Sequence, residues 1–392
     1  MKKKLLNRDN IFVIFVLLAT AILLFIPTGF EKIIYPNTER AKALIVDTDN
    51  LNIKSAGLIK HGDQLCKMKI LSGKFKGQSA EGVNRLVGKL EMDKIFNKGD
   101  TALVVIDYTD DEIRFVNIID HYRLSIEIIL FLAFILLLVI FAGWTGVKAL
   151  LSFVFTILMI WKILIPFFLK GYNPIILSLL VVSAMTVGTI CLVSGISRKS
   201  LAAILGSLSG SLLTCILAIT FGNGFKIHGA VLPFSESLLY SGYMHLNLTD
   251  IFIAGIFIAS AGALMDLAMD ISAAIYEIVQ KKPDISKKEA ILSGFSIGRA
   301  VIGTMTTTLL LAYSGGFVAL LMVFMAQGTP IQNILNLKYV SAEILHTIVG
   351  SFGLVTVAPI TAVLSGILMA SPELAGKLKE QASSPSYTEE AP

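Results

Sequence analysis

Two carboxylates one helical turn apart, inside a stretch apolar enough to cross a membrane, are the residues of this sequence best placed to do chemistry. Asp250–Gln280 reads DIFIAGIFIASAGALMDLAMDISAAIYEIVQ, with Asp266, Asp270 and Glu277 well inside its length. Helical spacing puts Gly255, Ala259, Gly262, Asp266, Asp270, Ala273 and Glu277 on one face. At ~1.5 Å rise per residue, Asp266 lies about 24 Å from Asp250 and about 22 Å from Lys281, near the centre of a bilayer. An ionised carboxylate there costs at least about 2.5–3.5 kcal/mol, and a second acid one turn away adds repulsion. The pair is therefore expected to face the protein interior and to hold a proton or small cation. Gly and Ala on the same stripe suit close helix packing. The rival reading makes the acids structural, paired with an arginine or backbone donors to hold two helices together.

A second polar stripe follows in GFSIGRAVIGTMTTTLLLAYSGG, residues 294–316, where Ser296, Arg299, Gly303, Thr306, Thr307, Leu310 and Ser314 share a face. With this span starting near Ile297, Arg299 sits one turn inside the cytoplasmic end, level with Glu277 and about two turns short of Asp270. An Arg–carboxylate clamp is expected, leaving Asp266 the least compensated acid. The Thr306 and Thr307 hydroxyls either serve a carboxylate or dehydrated cation, or bond their own i−4 carbonyls. Near the C-terminus, Pro359 frees a carbonyl at Val355, and Thr356, Thr361 and Ser365 lie close by in sequence, a polar kink of the kind that lines pathways. Glu343 and His346 form an E-x-x-H pair, but the spacing occurs once and lacks the further Glu ligands that a carboxylate metal site requires. No metal site is read from it. The candidate ion- or substrate-binding set is Asp266, Asp270, Glu277, Arg299, Thr306, Thr307 and Thr361.

The elements that must position these residues are those of a membrane protein. The 392 residues are 55% hydrophobic and 16% charged, with mean hydropathy +0.76. A net charge of +5 calls for no nucleic-acid partner, because the basic residues of the membrane part gather in short loops on one side. Cys66, Cys191 and Cys215 supply neither a disulfide framework nor zinc spacing. With no nucleophile–base pair and no cofactor motif, the chain does not read as an enzyme.

Residues 1–27 read as a signal-anchor: Lys2, Lys3, Lys4 and Arg8 precede the apolar run Ile11–Pro27, which lacks an A-x-A cleavage site. Residues 28–123 read as a small extracytoplasmic β-barrel-like domain of the OB or SH3 kind. Strands are expected at Ala43–Val46, Gln64–Leu71, Ala102–Asp107 and Glu112–Ile119, separated by Gly- and Asp-rich turns. Lys67–Lys76 carries four lysines and reads as a solvated face. Residues 124–371 form the transmembrane domain, with spans near Leu124–Phe141, Val147–Phe168, Pro174–Val193, Leu201–Phe221, Ile251–Val279, Ile297–Tyr313 and Ala342–Leu368. With the anchor this makes about eight transmembrane helices in a polytopic α-helical fold. Lys148, Arg198, Lys199, Lys281, Lys282, Lys287 and Lys288 then fall on the N-terminal side, so both termini are expected in the cytoplasm. Phe317–Gln327 is too short to span and reads as a re-entrant half-helix, or else as the end of one bent helix from Ile297. Residues 372–392, Ser/Pro-rich and polar, read as a disordered cytoplasmic tail.

The motif pair GALMDLAMDISAAIYEI and GFSIGRAVIGTMTTTLLLAYSGG resembles the YibE/F family of bacterial multi-pass membrane proteins, over roughly Leu124–Ser371. The anchor and β domain match its longer, YibE-like members. The resemblance implies a bacterial cell-membrane location and a shorter YibF-like membrane partner, and carries no activity with it. Members usually have an acid where this chain has Ala300, and Asn where it has Thr307, which weakens any multi-carboxylate site. The reading that combines these observations is a transporter or permease in the lipid bilayer, alone or as a homo-oligomer. Its pathway for a small ion or solute would lie between the sixth, seventh and eighth spans, with Asp266 and Asp270 holding a proton or cation. The competing class is a non-transporting assembly or envelope-interaction protein that works through the outer β domain.

Overall fold

The computed structural model describes residues 8–31 and 37–370; the expected tail 372–392 and Lys2–Lys4 lie outside them. Packing divides the chain into two compact units, Glu31–Phe141 and the segments flanking it.

The first unit is built on six strands: β1 (Thr38–Asp49), β2 (Ile53–Ala56), β3 (Ile59–Ile70), β4 (Ser79–Val87), β5 (Thr101–Thr109) and β6 (Glu112–His121). Five of them close into a ring in the order β1–β5–β6–β4–β3 and back to β1, while β2 only extends β3 as a hairpin. The β4–β6 pair is parallel and the rest antiparallel, a Greek-key barrel of the OB rather than the SH3 kind. Alternation decides the inside: Ala41, Ala43 and Ile45 of β1 and Ala102, Val104 and Ile106 of β5 are each at most 2% exposed. Strand β4 was not among the expected strands, because its inward positions include Gly82 and Asn84 and show no apolar alternation. A Cβ at Gly82 would lie 2.8 Å from the Val116 carbonyl oxygen, so glycine is what lets β4 approach β6.

Gln64 and Asn84, both fully buried, tie the barrel to the loop before β5. The Gln64 side-chain amide donates to Phe96 O and Asn50 Oδ1, both at 2.8 Å, and its carbonyl accepts from Phe96 N–H and Asn84 Nδ2 at 3.0 Å. Asn84 Nδ2 also donates to Lys94 O at 2.7 Å. Within the lysine-rich stretch, Lys67 meets Glu81 at 4.0 Å and Lys74 pairs with Asp111, as a solvated face would. His121 packs its ring on Phe96. Burial pushes the Cys66 thiol up to about 11, which leaves it inert.

The helices are α1 (Arg8–Phe25), α2 (Leu124–Leu158), a π-helical turn (Met159–Leu164), α3 (Ile165–Leu169), α4 (Pro174–Ser194), α5 (Arg198–Phe225), α6 (Ser235–Tyr240), α7 (Leu248–Lys281), α8 (Lys287–Ser314), α9 (Val318–Ala326), α10 (Ile331–Asn336) and α11 (Lys338–Met369). Among the described residues, six helical runs are long and apolar enough to cross a membrane, and Asp9–Phe25 is a shorter apolar helix. Two of the six are longer than one crossing uses. Leu124–Leu169 has 46 residues, where two spans were expected, and its helix is interrupted only by Gly143 (φ 54°, ψ −130°). Lys287–Ala326 has 40, because α9 follows α8 through a single 3₁₀ turn at Gly315–Phe317; this is the bent-helix alternative, with no loop to set off a half-helix.

In the second unit α11 packs against α5, α7 and α8. Leu264, Leu267, Ala268 and Ile271 of α7 meet Leu354, Val357, Ala358 and Ala362 of α11 in one apolar cluster, all at most 3% exposed. The G-x-x-x-G pair Gly206 and Gly210 lies against Thr361 and Val357, so α5 and α11 approach closely, as that motif requires. Helix α1 lies along α4: Val16 and Leu23 cluster with Phe155 and Leu192, and the Asp9 carboxylate accepts Ile196 N–H at 2.9 Å in the α4–α5 turn. Beyond the other end of α1, Phe30 lies near Tyr243, with the two rings tilted and their centroids 6.4 Å apart.

Candidate functional site

Helix α7 begins behind an Asn247 N-cap and runs 34 residues, which places Asp266 and Asp270 well away from either end. Its apolar face is consumed by the cluster with α11. The acids therefore point the other way. Ala259, Gly262, Asp266, Asp270, Ala273 and Glu277 are all exposed in the single chain. A Cβ added at Gly255 or Gly262 would meet nothing within 4 Å. The stripe has the composition expected from the sequence but faces out of the bundle, and the cluster shared by α7, α8 and α11 is apolar.

The expected Arg299 clamp is not formed. Asp266, Asp270, Glu277 and Arg299 make no ion pair with any described residue. Arg299 is exposed and lines a shallow groove with Phe295, Ile302, Ala358 and Pro359, on the α11 side of α8. Its depth also differs from the expectation, because α8 starts ten residues earlier than Ile297. A capping box starts it there: Ser286 Oγ accepts Glu289 N–H at 3.2 Å, and the Glu289 carboxylate accepts Ser286 N–H at 3.1 Å. Counting from the α7–α8 turn, Arg299 lies about 18 Å along α8 and Asp270 about 16.5 Å along α7. Arg299 is thus level with Asp270, not with Glu277.

The threonines take the bland option. Thr306 donates to Ile302 O at 2.8 Å and Thr307 to Gly303 O at 3.2 Å, each four residues back. Their lone pairs remain open to a cation or donor. Thr361 lies apart from all of these, fully buried against α5, and its hydroxyl has no hydrogen-bond partner among the described residues. The sequence stripes thus separate into an outward α7–α8 face and an inward Thr361.

One constellation was legible only in part. Glu343 Oε2 lies 4.0 Å from His346 Nδ1, and the Tyr313 ring stacks on the imidazole with centroids 4.2 Å apart. Glu343 Oε1, His346 Nε2 and Tyr313 OH are buried without a hydrogen-bond partner among the described residues. The E-x-x-H spacing signalled two members; Tyr313, at the end of α8, is brought in by tertiary packing alone.

The profile described as YibE/F-like protein matches residues 130–371. No curated protein and no solved structure matches the chain.

Proposed function

Starting from a chain that belongs to the YibE/F-like family and carries several membrane-crossing helices, we propose that it is a membrane carrier for a small ion or solute, with Asp266 and Asp270 binding a proton or cation. The observation that carries this is the acid pair itself: two carboxylates one turn apart, at mid-helix, with no counter-charge in the described residues. Structural acids in a membrane are neutralised by their own fold, because an unpaired charge at that depth is costly. Acids left open to an external cation are what a binding site needs. The Glu343–His346–Tyr313 cluster provides a second polar station near the opposite ends of α8 and α11.

The orientation proposed with it has eight crossings: α1, two from the Leu124–Leu169 run, α4, α5, α7, α8 and α11. Both termini are cytoplasmic and residues 28–123 extracytoplasmic, supported by the basic residues at the α4–α5 and α7–α8 turns. In a background without the three native cysteines, a cysteine at Ser79 labels from outside the cell and one at Ser286 only after permeabilisation; the reverse pattern would reject the orientation.

The outward stripe also favours a second reading, a non-transporting assembly protein in which the acids serve a partner. The double variant Asp266→Asn/Asp270→Asn separates the two. For a carrier, purified wild type gains thermal stability with a bound cation or with pH, by about 2.7 kcal/mol at a hundredfold excess over the dissociation constant, and the Asn/Asn protein folds but loses that response. A wild type unaffected by pH and by every cation tried would sink the carrier reading.

A further inference from the structure

The exposed surface of α7 has a composition that lipid does not accept. Helices α2, α4, α5, α8 and α11 each put large apolar side chains such as Leu130, Leu180, Leu212, Leu311 and Phe352 on the surface, whereas α7 exposes none among the described residues. What it exposes from Ala259 to Glu277 is Gly, Ala and acid. Its neighbour α8 continues the pattern from Ser296 to Thr308, where the exposed residues are Ser296, Arg299, Ala300, Gly303 and threonines. A bare backbone and two carboxylates facing hydrocarbon violate what a membrane requires, while small residues and polar groups are what helix–helix contacts use.

We propose that this α7–α8 face is the interface with a second copy of the same chain, in which Arg299 of each copy pairs with Asp270 of the other. Charge and register carry the choice of occupant. Arg299 and Asp270 are unpaired among the described residues and level in depth. Because α7 and α8 run antiparallel from one shared turn, the match continues. Gly303 is level with Asp266, and Thr307 with Gly262. Within one chain, Arg299 turns toward α11 and cannot serve Asp270. A two-fold axis along the membrane normal keeps every depth, so α8 of one copy lies along α7 of the other with these levels matched and both pairs formed. Glycine faces the acid at one level and threonine faces glycine at the next, which permits close approach. Asp266 is left beside Gly303, without a cation from the protein. The interface bears on the carrier reading, since it gives Asp270 a counter-charge and leaves Asp266 as the acid open to a proton or cation; the dimer itself is required whether or not anything is transported.

Charge exchange between copies tests it. Two tagged chains are made, one Arg299→Asp and one Asp270→Arg. Alone, each places like charges at both contacts, and self-association in membranes should fall roughly a hundredfold. Co-expressed, the two form a mixed dimer with both contacts opposite in sign, and each tag should retrieve the other to wild-type extent. Two chains that are present at normal abundance and still do not associate would overturn the proposal, as would single variants that self-associate like wild type. Should either variant fail to accumulate, cross-linking decides instead. In the cysteine-free background, Gly262→Cys in one copy and Thr307→Cys in the other should form an oxidative disulfide between tags, with no product for Leu180→Cys and Thr307→Cys. Absence of the Gly262–Thr307 product, or its formation only with a different membrane protein, would refute a second copy at this face.

Discussion

Asp93 in the barrel and Asp266 in the bundle are the same side chain under opposite arrangements. The Asp93 carboxylate accepts the backbone N–H groups of Val87, Gly88 and Lys89 at 2.7–2.9 Å, which hold it below the usual carboxylate range. Gln64 is treated alike: buried, with its amide bonded to Asn50, Asn84 and the Phe96 backbone, and closed to anything else. Asp266 and Asp270 have the reverse condition, exposed on α7 with no ion-pair partner in the described residues. A polar group satisfied by its own chain is committed to the fold. One left open at membrane depth is free for an ion or a second chain, which is what both proposals use.

The contrast can be broken hardest at Gln64. Gln64→Leu removes the partner of the buried Phe96 N–H and C=O together, and the barrel should lose about 3 kcal/mol, read as increased cleavage of residues 38–121 in limited proteolysis of the whole protein under urea. A loss below about 1 kcal/mol would mean that the polar core is not what fastens the loop.

Glycines on the two sides of the bundle give the next effect. Gly206→Ala inserts a Cβ into Thr361 on α11 and should destabilise by about 2 kcal/mol in a thermal melt of purified protein. Gly262→Ala meets nothing within 4 Å of its own chain and should leave the fold within about 0.5 kcal/mol. Both replace a helical glycine by alanine, so their difference isolates packing. If Gly262→Ala lowers association between copies while the melt is unchanged, the bare face is an interface and not a fold contact.

The smallest effect is the pH signature of Asp93. Its folded pKa lies below its unfolded value, so its contribution is present above the ordinary carboxylate range near 4 and disappears as pH falls through the lower, folded value. Asp93→Asn should therefore weaken the barrel at neutral pH and match wild type in strong acid. A difference that persists unchanged into acid would show that the carboxylate's charge is not what the three N–H groups hold.

Much was written in the one-dimensional pattern. Hydropathy marked every long helix, apolar runs between turn residues found four of the five barrel strands, and the paired motifs of α7 and α8 carried the family. The strand that escaped, β4, turns Gly82 and Asn84 inward, so no apolar period announced it. The start of α8 escaped because a capping box in polar sequence extends the helix ten residues past its apolar part.

The α7 stripe shows where the division falls. Helical geometry alone puts Gly262, Asp266, Asp270 and Glu277 on one side, since 3.6 residues per turn is a property of the backbone. Which way that side points is a rotation of the whole helix against its neighbours, and no periodicity within one helix encodes it. Leu264, Leu267, Ala268 and Ile271 decided it by filling the contact with α11, and the acids took the opposite side. The same rotation in α8, set by Gly294 and Gly298 against α7 and α11, turned Arg299 away from acids that lie at its own depth in the same chain.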